Sequence, residues 1–423
     1  MTPLAFLLSL ERLGMKFGLE NMRTICAALD HPETAFRSVI VAGTNGKGSV
    51  TAMLSAALHA AGLRSARYTS PHLERLEERY VIGEQEVSIA DLEGSAQTVR
   101  NAVEELVAAR RLEGLPTFFE CATAIAFELF RRHAVEMAVL EVGLGGRLDA
   151  TNVITPMAAA ITSIDFDHEA LLGDTLGAIA REKAGVIKDG IPVVIGPVAL
   201  EPEEAIADVC RARQAKLIRA RDRVQVTRQD DGSAAIATRT TRLTDVRMTL
   251  RGRHQLDNAA VAVCMLEVLH ALGIPLSGRD IRAGLETARW PGRLESLVWR
   301  SAEILLDAAH NAAGARALAD YLREQQWPPV VLVVGVMRDK QAAAILSHLL
   351  PLASTVICTE APTPRAMPAV ELAAIARDTP GAPDDVRTRP DPAAALDDAA
   401  RSGSRIVVCG SIFLIGALRG ILR

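Results

Sequence analysis

The sequence predicts an α/β protein of two domains, each a mostly parallel sheet covered by helices, with a small β insertion in the first. Three observations carry this. Short apolar runs rich in β-branched residues alternate with longer segments of helical period, a glycine-rich turn follows the first such run, and 423 residues exceed what one ordinary core organises. The runs are SVIVA from Ser38, MAVLEV from Met137, AAAITSI from Ala158 and PVVIG from Pro192. A later series is AEILL from Ala302, VVLVVGV from Val330, STVICT from Ser354 and RIVVCG from Arg405.

Between the first two runs, Val50, Met53, Leu54, Ala57, Leu58 and Ala61 follow helical spacing, and Gly62 is placed to stop the helix. Residues 223–251 differ: VQVT, a DDG turn and SAAIATRT read as a hairpin within a β insertion. HQLDNAAVAVCMLEVLHALG and SGRDIRAGLETAR then resume helical period, the second opening on an S-x-x-D cap. The helices stop at RWPGRLE and strands resume near residue 302, which sets the domains at 1–295 and 296–423. The Pro, Asp and Ala-rich stretch 378–400 reads as a surface connection and short helix.

Composition excludes several classes. With 49% hydrophobic and 23% charged residues and a net charge of −4, the chain reads as a globular protein with no global pull toward nucleic acid or acidic membrane. No stretch offers the roughly 18 apolar residues of a membrane span, and the N-terminal MTPLAFLLSLERLGMKFG lacks a basic start, so a cytoplasmic protein is expected. Six cysteines without C-x-x-C pairs fit reduced, mostly buried thiols. Only six lysines stand among the 47 basic residues, so each one marks a place where an ammonium serves better than a guanidinium.

One of the six lies in VAGTNGKGSVTA, residues 41–52. The spacing departs from the strict phosphate loop, because Gly43 stands three before Gly46 and Gly48 separates Lys47 from Ser49. Its context is nonetheless that of a phosphate site: a buried strand, a glycine turn that lets backbone N–H groups approach oxygens, a helix start and a point charge at Lys47.

In parallel sheets chemistry gathers at the carboxyl ends of strands. Glu141 ends MAVLEV, and a glycine turn with Arg147 and Asp149 follows. AAAITSIDFDH delivers Asp165, Asp167 and His168, and the next helix carries Lys183. A carboxylate in an apolar run needs a partner or a metal, so Glu141 with His168 is a candidate magnesium site. Taken singly, His168 also reads as a strand-end histidine with a satisfied hydrogen bond, and Lys183 as the partner of Glu182 on a solvated face. The phenylalanines of PTFFE, by themselves, also read as core.

Together, GTNGKGS, TSPHL, EVGLGGRLDATN, DHEALLGDTLGAIAREKAG, HQLDNAA, DAAHN and GSIFLIG resemble the folylpolyglutamate synthase/dihydrofolate synthase family, which belongs with the Mur ligases. The match runs in order from residue 14 to about 416 and includes the unusual loop spacing. The resemblance implies a P-loop NTPase-like first domain, a Rossmann-like second domain, and a cleft between them where ATP drives glutamate addition. It implies that Gly46, Lys47, Gly48 and Ser49 bind the ATP phosphates, with Asn258, Arg293 and Asp307 as further ATP contacts. Two magnesium ions are expected, one on Ser70 and Glu141 and one on His168 and Glu141, beside a carbamylated Lys183. Thr117, Phe118, Phe119 and Glu120, with Leu148, Asp149 and Ala150, would receive the pterin. Asp339, Lys340 and Arg365 fall in later matching segments without assigned roles. Two departures stand out: DAAHNA replaces D-G-A-H-N-P at 307–312, and Glu169 occupies a position where threonine is common.

The implied substrates are dihydropteroate, tetrahydrofolate and L-glutamate, joined through an acyl phosphate by a monomer that needs no nucleic acid or membrane partner. A synthase confined to polyglutamylation, another Mur-type ligase and a nucleotide-dependent switch are the alternatives. Only about 40 residues precede the loop, which disfavours a nucleotide-sugar domain there.

Overall fold

The computed structural model describes all residues except 15 and 17. It forms two compact units: Met1–Ile164 with Asp174–Thr249 and Leu256–Arg289, and Asp165–Gly173 with Leu250–Gln255 and Trp290–Arg423.

The first unit is built on eight strands: β1 Arg37–Ala42, β2 Ser65–Tyr68, β3 Tyr80–Ile82, β4 Gln85–Glu86, β5 Met137–Glu141, β6 Ala158–Ile161, β7 Pro192–Ile195 and β8 Lys216–Arg219. Their order is β4-β3-β2-β5-β1-β6-β7-β8, parallel except where β3 pairs with β2 and β4. The four runs expected in this unit became β1, β5, β6 and β7, all with buried interiors, as a sheet covered on both faces requires. The short strands β2, β3, β4 and β8 add to the expected set; β2 (SARY) and β8 (KLIR) carry arginine or lysine and owe their conformation to pairing along the sheet.

The expected hairpin is a three-stranded antiparallel sheet of β9 Gln225–Arg228, β10 Ala234–Ala237 and β11 Arg242–Val246, ordered β11-β10-β9. The helix Lys47–Ala60 leaves the glycine turn and enters the core at once, since Val50, Met53, Leu54 and Leu58 are all inaccessible. The helix Phe118–Arg132 is fastened to the start of β1 by rings: Phe36 packs against Phe127 at 6.0 Å and edge-on against Phe130 at 5.6 Å.

The second unit holds six strands: β12 Glu295–Trp299, β13 Ala302–Leu306, β14 Val330–Val334, β15 Ala353–Cys358, β16 Asp385–Thr388 and β17 Arg405–Cys409. The order is β12-β13-β17-β14-β15-β16, parallel apart from β12. Leu305, Leu332, Val334, Val356 and Val407 pack beneath Leu318, Leu322, Ile345, Leu346 and Leu372. Two expectations are corrected. The strand series opens at Glu295 rather than near 302, and the stretch 378–400 contains β16 as well as the helix Pro392–Ser402. Strand β16 reads DVRT, and its polar side chains are satisfied on the sheet: Arg387 meets Asp385 at 2.6 Å and Asp398 at 3.0 Å. Among the described residues no helix is long and apolar enough to cross a membrane.

Because Phe127 is inaccessible and shares its contacts with the ring that precedes β1, Phe127→Ala should destabilise the protein by about 3–5 kcal/mol. Urea denaturation of the variant against the parent measures this; a loss under about 1 kcal/mol would mean that the ring cluster does not fasten the helix.

Candidate active site

The glycine turn sits at the centre of the first sheet. Strand β1 lies between β5 and β6, with Val41 opposite Glu141 and Ala42 opposite Ile161, so the turn after Ala42 leaves the sheet between Glu141 and Thr162. The turn is held from the β6 side: Thr162 Oγ1 donates to Asn45 O at 2.6 Å, Asn45 N–H to Ser163 Oγ at 3.0 Å and Thr44 N–H to Ser163 O at 2.8 Å. Gly46 caps the helix at φ 84° without a side-chain bond, and a Cβ there would meet Asn258 Oδ1 at 2.3 Å. Both facts require glycine and bring Asn258 against the loop, and the helix starts without a cap from its own N-cap side chain.

Two of the rare lysines converge on one oxygen. Lys47 Nζ donates to Gly43 O at 3.1 Å and to Thr44 O at 3.2 Å, while Lys183 Nζ donates to Gly43 O at 3.0 Å. The two ammonium groups therefore stand within about 6 Å of each other in a partly buried place, with Lys183 only 5% exposed.

Ser70 follows β2, whose Tyr68 pairs with Leu140, and its N–H reaches Glu141 Oε2 at 3.4 Å. The Ser70 hydroxyl is buried and has no hydrogen-bond partner, next to a carboxylate that is 4% exposed. A hard oxygen pair of this kind fits a magnesium ion, and a carbamate on Lys183 would add an anionic oxygen. Among the described residues no three His, Cys, Asp or Glu side chains gather as an alternative metal set. Nearby, Arg79 Nε donates to His72 Nδ1 at 2.9 Å, and burial together with the Arg79 charge lowers the His72 pKa to about 4.

In the segment expected to receive the pterin, side chains divide by role. Thr117 and Glu120 form a capping box: Glu120 Oε2 accepts from Thr117 N–H at 2.7 Å, and Thr117 Oγ1 accepts from Glu120 N–H at 3.2 Å. T-x-x-E before an apolar run is itself a capping signature, legible in PTFFE. Phe119 is half-buried, stacks on Tyr68 at 6.1 Å and closes on Gly143, while Phe118 lies under the Arg79 guanidinium at 5.0 Å. Asp149 holds the glycine turn, accepting from Leu144 N–H at 2.9 Å and Thr151 N–H at 3.0 Å, and burial pushes its carboxyl pKa up against those bonds. Leu148 is half-buried and Ala150 buried beside it. A cavity of about 280 Å³ is lined by Lys16, Glu20, Asn21, Arg111 and Glu120, none of which but Glu120 was read from the sequence.

The remaining expected residues belong to the second unit. His168, at φ 52°, opens the short helix Glu169–Leu172. Lys340 pairs with Asp167 and lies 3.3 Å from His168 Nε2, Asn311 Nδ2 donates to Asp167 Oδ2 at 3.2 Å, and His310 Nε2 stands 3.5 Å from the same oxygen. Burial raises the Asp167 pKa, but His310, Lys340 and His168 outweigh it and hold the carboxyl well below its usual range. Burial lowers His168 to about 4, against Asp167 and with Lys340, which leaves the neutral imidazole that ligates metals. Asp307 accepts from Leu294 N–H and Ala309 N–H, both at 2.9 Å, tying the turn of Arg293 to the DAAHN loop. The replaced glycine and proline leave that loop ordered, with Asn311 capping the helix Ala312–Glu324, and Glu169 receives Gln341 Nε2 at 2.6 Å.

A glycine loop at the centre of a parallel sheet, flanked by a carboxylate, a bare hydroxyl and a buried lysine, is the arrangement of a nucleotide-dependent ligase. In agreement, residues 41–266 match the Mur ligase middle domain, and residues 292–423 match the C-terminal domain of dihydrofolate synthetase. Folylpolyglutamate synthase of Lacticaseibacillus casei is 34% identical over 99% of this chain and 97% of its own length. Dihydrofolate synthase/folylpolyglutamate synthase of Escherichia coli is 35% identical over 88% of this chain and 85% of its own. Among solved structures, Mycobacterium tuberculosis folylpolyglutamate synthase complexed with ADP and AMPPCP superposes with a TM-score of 0.91 at 33% identity, covering 99% of both chains. Escherichia coli FolC in complex with DHPP and ADP gives 0.87 at 30% identity over 100% of this chain and 97% of that one. The chain belongs to the folylpolyglutamate synthase/dihydrofolate synthase family. It is an ATP-dependent ligase that adds glutamate.

Asp167 has a folded pKa below its ordinary 3.8, so its pairing stabilises above that pH and is lost as pH falls through the folded value. Lys340→Met should therefore cost roughly 3 kcal/mol at neutral pH, and the gap from the parent should shrink below about pH 4. Urea denaturation at the two pH values tests it, and an equal penalty at both would exclude the ion pair as the cause.

Proposed function

We propose that the chain joins L-glutamate to dihydropteroate, giving dihydrofolate, and to tetrahydrofolate, giving polyglutamates, with ATP converted to ADP and phosphate. The observation that carries the reading is the convergence of Lys47 and Lys183 on Gly43 O beside the unpartnered Ser70 hydroxyl and Glu141. In the first domain, 1–295, Gly46, Lys47, Gly48 and Ser49 hold the ATP phosphates and Asn258 supports the loop. In the second, 296–423 with Arg293 at its threshold, Arg293 and Asp307 are assigned to the nucleotide. The protein works as a cytoplasmic monomer.

A carboxylate is a poor acceptor for an amine. Its oxygen first takes the γ-phosphoryl group, with ADP leaving, and the Lys47 ammonium and loop N–H groups stabilise the charge carried by the transferring phosphoryl. The glutamate α-amine then attacks the acyl carbon, losing a proton and expelling phosphate. Magnesium, two ions in all, held by Ser70 and Glu141 and by His168 and Glu141, would neutralise phosphate charge when bound. Lys183 serves as a carbamate: its neutral amine adds to CO2, forming an N–C bond and releasing one proton. The burial of Lys183 with its Nζ on Gly43 O at the loop supports that reading, and an arginine could not undergo it. Phe119, with Phe118, Leu148 and Ala150, supplies apolar surface for the pterin, while Thr117, Glu120 and Asp149 fix the backbone around it. The Mur-type signature and 85–97% coverage of the two relatives' lengths favour glutamate ligation over a switch.

The test is phosphate release from MgATP with dihydropteroate or tetrahydrofolate, each with and without glutamate, and mass analysis of the products. Release should require both a pterin and glutamate, and the products should be heavier by one glutamyl unit. Extension of tetrahydrofolate alone would restrict the chain to polyglutamylation, and release indifferent to both would indicate a switch. Lys47→Ala should lower turnover by at least about 100-fold with an unchanged fold; near-normal turnover would remove the loop from the mechanism.

A further inference from the structure

Lys183 sits at the end of the helix Leu176–Ala184, and that end is gripped by the turn that runs from Glu141 to the helix of Ala150–Val153. The grip has four parts. Asn152 Nδ2 donates to two carbonyls at once, Arg147 O within the turn and Gly185 O beyond Lys183, each at 3.0 Å. Arg147 N–H donates to Glu182 O at 2.9 Å, and the Arg147 guanidinium meets the Glu182 carboxylate at 2.9 Å. Backbone contact is as close as it can be, since a Cβ on Gly146 would lie 2.6 Å from Lys183 O and a Cβ on Gly185 2.3 Å from Arg147 Cβ. From below, Lys188 Nζ donates to Asn152 O at 2.8 Å.

Asn152 is 3% exposed, and both donor hydrogens of its amide are spent on this bridge. Its Oδ1 is buried without a partner, so the amide is retained there although its oxygen lacks a hydrogen bond. The Arg147–Glu182 pair is more exposed and gives orientation rather than much stability. Asn152 is therefore a buried side chain that ties the carbonyl just beyond the lysine's backbone position, Gly185 O, to Arg147 O in the turn bearing Leu148, Asp149 and Ala150.

We propose that Asn152 is a positioning residue for Lys183: by fixing the turn against the helix end it sets where the lysine nitrogen lies and stabilises its carbamate there. Arg147 acts in the same direction through Glu182. The inference rests on the reading of Lys183 as a carbamate. Positioning matters because Lys183 Nζ reaches Gly43 O at 3.0 Å, and a shift of the helix end by a fraction of that length would carry the nitrogen away from the loop.

The experiment loads the full-length protein with 13C-bicarbonate and records the carbamate carbon by NMR, then measures turnover across bicarbonate concentrations. The wild-type spectrum alone decides the carbamate reading: a signal that Lys183→Ala removes supports it, and its absence overturns both that reading and this proposal. Asn152→Ala should then lose most of the signal at ambient bicarbonate, lower kcat about 10- to 100-fold with the KM for ATP within about twofold, and regain turnover as bicarbonate rises. Full carbamate occupancy in the variant, or lost turnover that bicarbonate does not restore, would overturn the positioning role. Asn152→Asp keeps the side-chain volume and turns an acceptor toward the two carbonyls, so it gives the same readout if the alanine variant fails to fold.

Discussion

The site depends on one constraint: β5, β1 and β6 are neighbours running in one direction, in a register that sets Val41 beside Glu141 and Ala42 beside Ile161. Parallel strands end on the same side, so the turn after β1 leaves the sheet between a carboxylate and the hydroxyls of Thr162 and Ser163. Those hydroxyls satisfy Asn45, so the loop's shape is fixed from outside and its helix start is left without a side-chain cap. Slipping β1 by one residue against β5 would turn every one of its side chains to the opposite face and move the loop out of register with Glu141.

Around that frame, the chain spends polar groups on backbone shape and leaves few for ligands. Thr117 and Glu120 cap a helix, Asp149 closes a turn, Asp307 joins two loops, and Asn311 caps another helix. At the site itself, the Ser70 hydroxyl is buried with no hydrogen-bond partner, next to Glu141. A buried hydroxyl without a bond costs stability, and here it lies beside a carboxylate, the oxygen pairing that suits a hard cation.

Much of this was legible in the sequence because the signals are local. The run SVIVA, the turn GTNGKG and the helical spacing from Val50 to Ala61 each declare themselves within a dozen residues, and so does the Ser277 cap, whose hydroxyl accepts from Asp280 N–H. What stayed hidden is set by tertiary pairing. DVRT became β16 because Thr355 and Cys358 of β15 supply its edge and Asp398 takes Arg387, none of which a polar tetrapeptide announces. Asp167 finds Lys340 across 173 residues, and the cavity beside Glu120 draws on Lys16, Glu20, Asn21 and Thr24 and on residues 111–113. The capping role of Thr117 and Glu120 was readable from T-x-x-E, but the same four letters also match the pterin segment, and local pattern does not rank two uses of one side chain.

The scarcity of lysine finds its physical sense here. Of six lysines, four put their ammonium on a specific acceptor: Lys47 and Lys183 on Gly43 O, Lys188 on Asn152 O and Lys340 on Asp167. Arginine serves instead in exposed pairs such as Arg75 with Glu86 and Arg405 with Glu303, where a planar fork is an advantage and screening makes each pair weak. A compact ammonium can enter a carbonyl pocket that a guanidinium would force open. Two of them meet on one oxygen, Gly43 O, where two guanidinium forks would not fit together. The residue choice, the close approach at Gly146 and Gly185, and the Asn152 bridge therefore answer the same requirement, which is to hold one buried amine still against the loop carbonyl.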